Sequence, residues 1–306
     1  MSASVKKVGY VRLGNSGLKV SKVILGCMSY GHKGWHGSWV IDDKEEAFKH
    51  IKFAYDHGIQ TFDTANVYSN GLSEIILGKA IKHHNLPREE LVIMTKLCAP
   101  VAKEYGTNLF QGDWNFDDKG FVNQYGLNRK NTFASVKASL ERLQVDYIDL
   151  LQYYAINNNL TPFISMQNHY NLAYREEERE MFPTLKLFGV GAIPWSPLAR
   201  GYLTRPPDQS TQRSESDEWL KYYATTPGGP EIVKRVQELA ERKSVSMAQI
   251  ATAWMMAKDG VTAPIVGTTS LKNLEDLIKS VDVKLTEEDI KYLEEPYKTV
   301  AVFGHL

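Results

Sequence analysis

Apolar residues along this chain fall into short continuous runs, separated by longer stretches with helical spacing. The runs at 23–26, 60–63, 91–96, 145–152, 163–167, 190–195 and 264–267 read as buried strands. Between them, 42–58, 73–81, 127–143, 176–188, 230–242, 246–258, 271–278 and 286 onward read as amphipathic helices. In the helix over 127–143 the apolar face is expected at Phe133, Val136, Leu140 and Leu143. A small hairpin is expected over 8–18, turning at Gly14-Asn15-Ser16-Gly17. Buried strands alternating with helices argue for an α/β fold: a parallel sheet with helices outside. Long connections are expected at 27–40, which is rich in Gly and Trp, at 99–126 and at 205–229, with a tail over 297–306. Loops of that length beside a strand end are more often lids or binding loops than linkers.

The alternation fails at one place. Only residues 153–162 separate the strand ending at Gln152 from the one beginning at Phe163, and they include Asn157-Asn158-Asn159 and Pro162. A parallel crossover needs about a dozen residues or more, normally with a whole helix.

Composition narrows the class further. Lys+Arg and Asp+Glu are both 36, so no net field favours nucleic acid or an anionic membrane. Cys27 and Cys98 are the only cysteines, which excludes a disulfide framework and a Cys-rich zinc site. No run approaches the roughly 18 apolar residues that span a bilayer, and residues 1–9 lack the pattern of a signal peptide. A single soluble cytosolic domain over 1–306 is expected, without a metal.

Chemistry centres on Asp63, Tyr68 and Lys96. Asp63 and Lys96 end successive strands, and Tyr68 follows Asp63 by five residues, so all three can meet at the sheet edge where parallel folds place their sites. An ammonium favours phenolate, so Lys96 is expected to lower the pKa of Tyr68 and fit it for general acid work on a carbonyl oxygen. The plainer alternative is a structural Asp–Lys pair beside a packing tyrosine, with Asp63 capping the next helix.

Several motifs occur in one order: Asp63-Thr64-Ala65, Tyr68, Ser73-Glu74, Gly78, Thr95-Lys96, Tyr147 through Gln152, Met166-Gln167, Pro194-Trp195-Ser196-Pro197-Leu198-Ala199-Arg200-Gly201 and Pro264-Ile265-Val266-Gly267. Together they resemble the aldo-keto reductases, closest to fungal and bacterial members similar to the potassium-channel β-subunit branch. The resemblance covers residues 13–296. It implies a (β/α)8 TIM-type barrel, NADP(H) bound without a Rossmann glycine loop, and reduction of small-molecule aldehydes and ketones to alcohols, with a homo-oligomer an open option. It assigns Asp63, Tyr68 and Lys96 to catalysis, Tyr68 as the acid. Gln167 then holds the nicotinamide carboxamide, and Trp195 stacks on the ring. Ser196, Pro197, Leu198 and Gly201 line the pyrophosphate passage, while Gly267, Thr268, Thr269 and Asn273 hold the adenosine phosphates at a helix start. Arg213 is a candidate for the 2′-phosphate, Cys27 and Met28 touch the cofactor, and Tyr30, Trp35 and Trp39 are candidate substrate-pocket walls.

One departure stands out. Where the family continues its fourth strand into a catalytic histidine, this chain reads Gln152-Tyr153-Tyr154-Ala155. The fourth helix, fifth strand and most of the fifth helix also have no counterpart, so about one βα unit is missing from the barrel. Removing a strand opens the closure or forces an unusual one, because strand number, tilt and shear are linked. Three explanations fit: a skipped exon in the gene model, a cofactor-binding relic, or a barrel completed by a second copy. The competing functional reading is a regulatory or partner-binding subunit that binds NADP(H) without turnover.

Overall fold

A computed structural model describes residues 7–112, 115–152, 163–206, 209 and 217–302. The chain resolves into two compact units. The first is built chiefly from Ile24–Phe163 with Gly267–Leu271, and the second from Val8–Val23, Ile164–Val266 and Lys272–Leu306.

In the first unit, β3 (Ile24–Gly26), β4 (Thr61–Asp63), β5 (Val92–Lys96) and β6 (Leu150–Gln152) lie side by side, all parallel, in chain order. The register sets Asp63 opposite Met94 and Lys96 opposite Gln152. Phe62, Ile93 and Met94 are fully buried, consistent with a sheet covered on both faces. Helices α2 (Lys44–Asp56), α3 (Leu72–His83) and α4 (Arg129–Leu143) join successive strands, and α3 packs on both α2 and α4. Close approach of α3 to α4 requires Gly78, since a Cβ there would sit 2.2 Å from the Leu143 carbonyl oxygen.

The orientation of α4 differs from the expected one. Asn131, Ser139 and Leu143 are buried, whereas Phe133 is 63% exposed with the Arg129 guanidinium over its ring. The cause is Glu74, a carboxylate with no exposed surface. Arg142 on α4 donates to it at 2.7 Å, and the Thr95 hydroxyl does so at the same distance. Pairing a buried charge outweighs the burial of one apolar ring. Strand β6 is also shorter than the run 145–152. The Asp149 carboxylate accepts from the Ile93 N–H at 2.8 Å, and Arg88 holds both that carboxylate and the Tyr147 carbonyl. A side chain therefore takes the ladder position that a longer strand would use. Residues 153–162, where the regular pattern breaks, lie outside the described residues.

In the second unit, β1 (Tyr10–Arg12) and β2 (Lys19–Ser21) form the expected antiparallel hairpin. Strands β7 (Ser165–Met166) and β8 (Gly191–Ala192) pair in parallel, and beyond them Ile265 at the start of β9 (Ile265–Val266) donates to the Pro194 carbonyl. The expected helix over 176–188 is broken: a 3-10 turn at Glu176–Glu178 precedes α5 (Met181–Phe188). Pro183 explains the break, because its ring lacks an N–H and is tolerated only in a helix's first turn. The loop expected over 205–229 contains a further helix, α6 (Glu218–Thr225), whose Leu220 and Tyr223 are buried three residues apart. Helices α7 (Gly229–Lys243), α8 (Met247–Ala257), α9 (Leu271–Ile278) and α10 (Glu287–Glu294) follow. Ser246 caps α8, and Thr286 with Asp289 forms a capping box on α10.

A closed charge network ties this unit together. Arg175 donates to Glu178 and to Glu294, while Lys258 pairs with Glu294 at 2.7 Å and with Glu178 at 3.5 Å. The Trp254 indole N–H and the Tyr170 hydroxyl also donate into it. Two cations and two carboxylates thus satisfy one another. The start of the tail joins in, since the Tyr297 hydroxyl donates to Glu176 and accepts from the Arg175 N–H.

Candidate active site

Strand β4 ends at Asp63 and strand β5 at Lys96, so the parallel register delivers both side chains to one sheet edge. The Lys96 ammonium donates to Asp63 Oδ2 at 2.7 Å, to the Thr64 carbonyl at 2.7 Å and to the Tyr68 hydroxyl at 3.1 Å. Lysine has three donors and no acceptor, so all three are engaged and the Tyr68 oxygen must accept. The phenolic proton is therefore turned away from Lys96, and among the described residues it donates to no partner. Asp63 is nearly fully buried, and Lys96 keeps about a fifth of its side chain exposed.

The electrostatics correct one expectation. Burial works against the Lys96 charge, but Asp63 and then Tyr68 more than offset this, and its pKa is raised. Burial raises Tyr68 by more than Lys96 lowers it, so the net shift of the phenol is upward. Tyr68 consequently stays protonated across the neutral range. Its proton passes only to a stronger base than phenolate, and an alkoxide forming on a carbonyl carbon is such a base.

Around this triad the 27–40 connection folds back, with a single helical turn, α1 (Lys33–His36). Trp35 is buried with its ring centre 6.0 Å from that of Tyr68, and His36 links Trp35 to the half-buried Trp39. Tyr30 is placed differently: it has no exposed surface and packs edge-on against His50 of α2. Cys27 is fully buried, and burial followed by the nearby Asp63 pushes its thiol pKa up. Met28 is half-buried. Thr268 lies in the same unit, where the Ser29 hydroxyl donates to its carbonyl and its own hydroxyl accepts from the Ser270 N–H ahead of α9. Gly267 and Thr269 flank it.

The second unit holds the remaining described residues singled out in the sequence. Trp195 is half-buried and stacks on His169 with 4.2 Å between ring centres, and Tyr174 stacks on the opposite face of the same imidazole at 4.2 Å. Burial, then Arg200, lowers the His169 pKa to about 3, so the sandwiched ring is neutral. Ser196, Ala199, Arg200 and Gly201 have left-handed backbones, making a tight turn that includes Pro197 and Leu198. The Asn171 amide donates to the Ser196 carbonyl, and Arg200 is clamped on Asp217. Gln167 follows β7, and Asn273 lies in α9. Arg213 lies outside the described residues.

Sequence reasoning missed the His169–Tyr174 partnership behind Trp195 and the role of Asn70, described below. Neither carries a periodic signal, because each depends on contacts between loops.

A proton-bearing phenol held by a Lys–Asp pair at parallel strand ends lies at the edge where α/β folds place their sites. The sequence profile of the aldo/keto reductase family matches residues 22–160 and 152–298. A Schizosaccharomyces pombe protein named "Putative aryl-alcohol dehydrogenase C977.14c" is 43% identical over an alignment of 346 residues, covering 97% of this chain and 98% of the relative. The aldo-keto reductase AFTS1 of Alternaria alternata is 38% identical, covering 99% of this chain and 96% of its own. The versiconal hemiacetal acetate reductase of Aspergillus parasiticus is 41% identical, with 96% and 98% covered. The chain belongs to the aldo/keto reductase family and is an oxidoreductase. That membership implies the (β/α)8 barrel, and the first unit shows parallel strands joined by helices. Among the described residues, no helix is long and apolar enough to cross a membrane.

Proposed function

We propose that this chain reduces aldehydes and ketones to alcohols in one barrel domain, with NADPH supplying the hydride and Tyr68 the proton. The observation that carries the reading is the direction of the hydrogen bonds at Lys96. The ammonium has spent its donors on Asp63, Thr64 and Tyr68, which leaves the phenolic proton as the group available to an incoming carbonyl oxygen. Asp63 keeps Lys96 charged, and Lys96 steadies negative charge on the Tyr68 oxygen as the proton leaves. Trp35 supplies apolar surface beside the phenol, with Trp39 further along the same loop behind His36, which suits an aromatic or aliphatic aldehyde.

The residues of the second unit suit a nicotinamide dinucleotide. Trp195, backed by a neutral imidazole, offers a flat aromatic surface of the kind a nicotinamide ring stacks on. The turn over Ser196–Gly201, left-handed at Ser196, Ala199, Arg200 and Gly201, has no side chain of its own at Gly201, which suits close approach of a pyrophosphate to the backbone. In the first unit, Thr268 and Thr269 precede the start of α9. Gln167, Gly267, Asn273, Cys27, Met28 and Arg213 complete the proposed cofactor set.

We propose further that the barrel is about one βα unit short. The 346-position alignment exceeds the 306 residues of the chain, and the family profile matches as two segments that overlap over 152–160, where fewer residues separate the two apolar runs than a parallel crossover needs.

The test is a titration of the purified chain with NADPH followed by an aldehyde assay, repeated with Tyr68→Phe. Saturable binding is expected in both proteins, with Kd within about twofold and kcat lowered by about 10²–10⁴ in the variant. Loss of binding and rate together in Tyr68→Phe would make the tyrosine structural and remove the reading's main support.

A further inference from the structure

Immediately after Tyr68 the chain passes through three consecutive left-handed residues, Ser69, Asn70 and Gly71, with φ of 47°, 51° and 92°. Non-glycine residues in this region carry strain, and a run of them persists only where surrounding contacts hold it. Those contacts are present. The nearly buried Asn70 side chain donates through its amide to the Glu104 carbonyl at 2.9 Å and the Thr107 carbonyl at 2.7 Å, with the Tyr105 carbonyl at 3.4 Å. Its own oxygen accepts from the Ala102 N–H at 3.0 Å. One asparagine thus uses both its donor and acceptor groups on the first part of the 99–126 connection. The neighbouring Ser69 hydroxyl accepts from the His32 N–H at 2.9 Å, fastening the loop that carries Trp35. The two loops also meet directly: a Cβ on Gly106 would come within 2.8 Å of the His32 imidazole.

The rest of the long loop, described over 108–112 and 115–126, has its own packing. Leu109 and Phe116 are buried, Phe116 meets Tyr125 and Phe110 edge-on, and Lys119 donates to the Leu109 carbonyl. Its neck is closed by the Gly126 N–H on the Cys98 carbonyl at 2.6 Å. Asn70 supplies a second anchor, two residues from the phenol. The lobe leaves the sheet two residues past Lys96, on the strand edge that carries the triad.

We propose that Asn70 is a specificity-determining positioning residue: it clasps the aromatic 99–126 lobe as a wall of the carbonyl pocket beside Tyr68 and Trp35. This rests on the reductase reading above. A bulky aromatic aldehyde needs that wall, whereas a small aliphatic aldehyde is served by Tyr68 and Trp35 alone.

The test uses Asn70→Gly, which keeps the left-handed backbone while deleting the side chain, and Asn70→Asp, which tolerates the same backbone but presents a carboxylate to the carbonyls of Glu104 and Thr107. Steady-state rates are measured with NADPH on 2-naphthaldehyde and on propanal, together with tryptic cleavage after Lys103. The expected result in either variant is KM for naphthaldehyde raised about tenfold, KM for propanal raised less than about threefold, and faster cleavage at Lys103. Equal rises for both aldehydes, or unchanged cleavage, would overturn the proposal, and if Asn70→Gly does not fold, Asn70→Asp decides alone. A wild-type chain that reduces neither aldehyde would sink the reductase reading and, with it, the specificity role.

Discussion

Two lysines in this molecule sit in similar surroundings and do different things. Lys258 and Lys96 are both about one-fifth exposed, and each is 2.7 Å from a carboxylate. Around Lys258 the circuit closes: Arg175, Glu178 and Glu294 answer every charge, and Trp254 and Tyr170 donate inward. Around Lys96 it stays open, because the last member is a phenol that accepts and still has a proton to give. A saturated network holds a fold in place, and one with an unspent donor at a strand end can act on something else.

The comparison breaks most visibly at Lys96 itself. Lys96→Met leaves Asp63 buried without its cation and Tyr68 without its orienting donor. It should lower kcat at least about 100-fold and destabilise the fold by about 3–5 kcal/mol; aldehyde turnover and urea unfolding measure the two. If kcat per folded molecule survived, the open network would be no more catalytic than the closed one. Arg175→Met should cost less, about 1.5–3 kcal/mol for the lost charge-assisted bonds, because Lys258 still pairs with Glu294 and Glu178, while turnover per folded molecule stays near wild type. A large fall in kcat there would erase the distinction.

A smaller effect separates neutral burial from paired burial. The His169 pKa is depressed to about 3, so below about pH 6.5 the unfolded chain takes up a proton that the folded chain refuses. Stability is therefore full above that range and falls as the pH drops toward 3. Between pH 7.5 and 5 the wild type should lose roughly 2 kcal/mol more than His169→Gln, read from urea midpoints at each pH. Parallel pH profiles would remove His169 as the titrating group. At the low end, Lys186 and Asp259 form an equally short pair, 2.6 Å, on open surface. Lys186→Ala should leave Tm within error, since solvent screens such pairs; a clear drop would mean that burial is not what separates these networks.

Much of this was legible in the chain. The strand runs and helix spacings located β3 through β6 and the helices between them, because both faces of a parallel sheet must be apolar. Asp63 and Lys96 stood out because each polar residue ends such a run. What pattern could not show was set by single polar contacts over long separations. Glu74 turned α4 so that Phe133 faces solvent, Asp149 shortened β6, and Pro183 split the expected 176–188 helix. Helix α6 hid in a polar stretch, since only Leu220 and Tyr223 mark its buried side. The pKa direction of Tyr68 was misjudged for a related reason: sequence displays the neighbouring charge but not the depth of burial.

The saturation of Lys96 has a chemical consequence of its own. Aldehydes condense with free amines, so under the proposed function a lysine beside Tyr68 would be open to adduct formation by the proposed substrates. Condensation requires a nitrogen lone pair, and a fully engaged ammonium with a raised pKa has none to offer. The Asp63 carboxylate and the Thr64 carbonyl thus act as a built-in protecting group, keeping this amine inert toward carbonyl compounds.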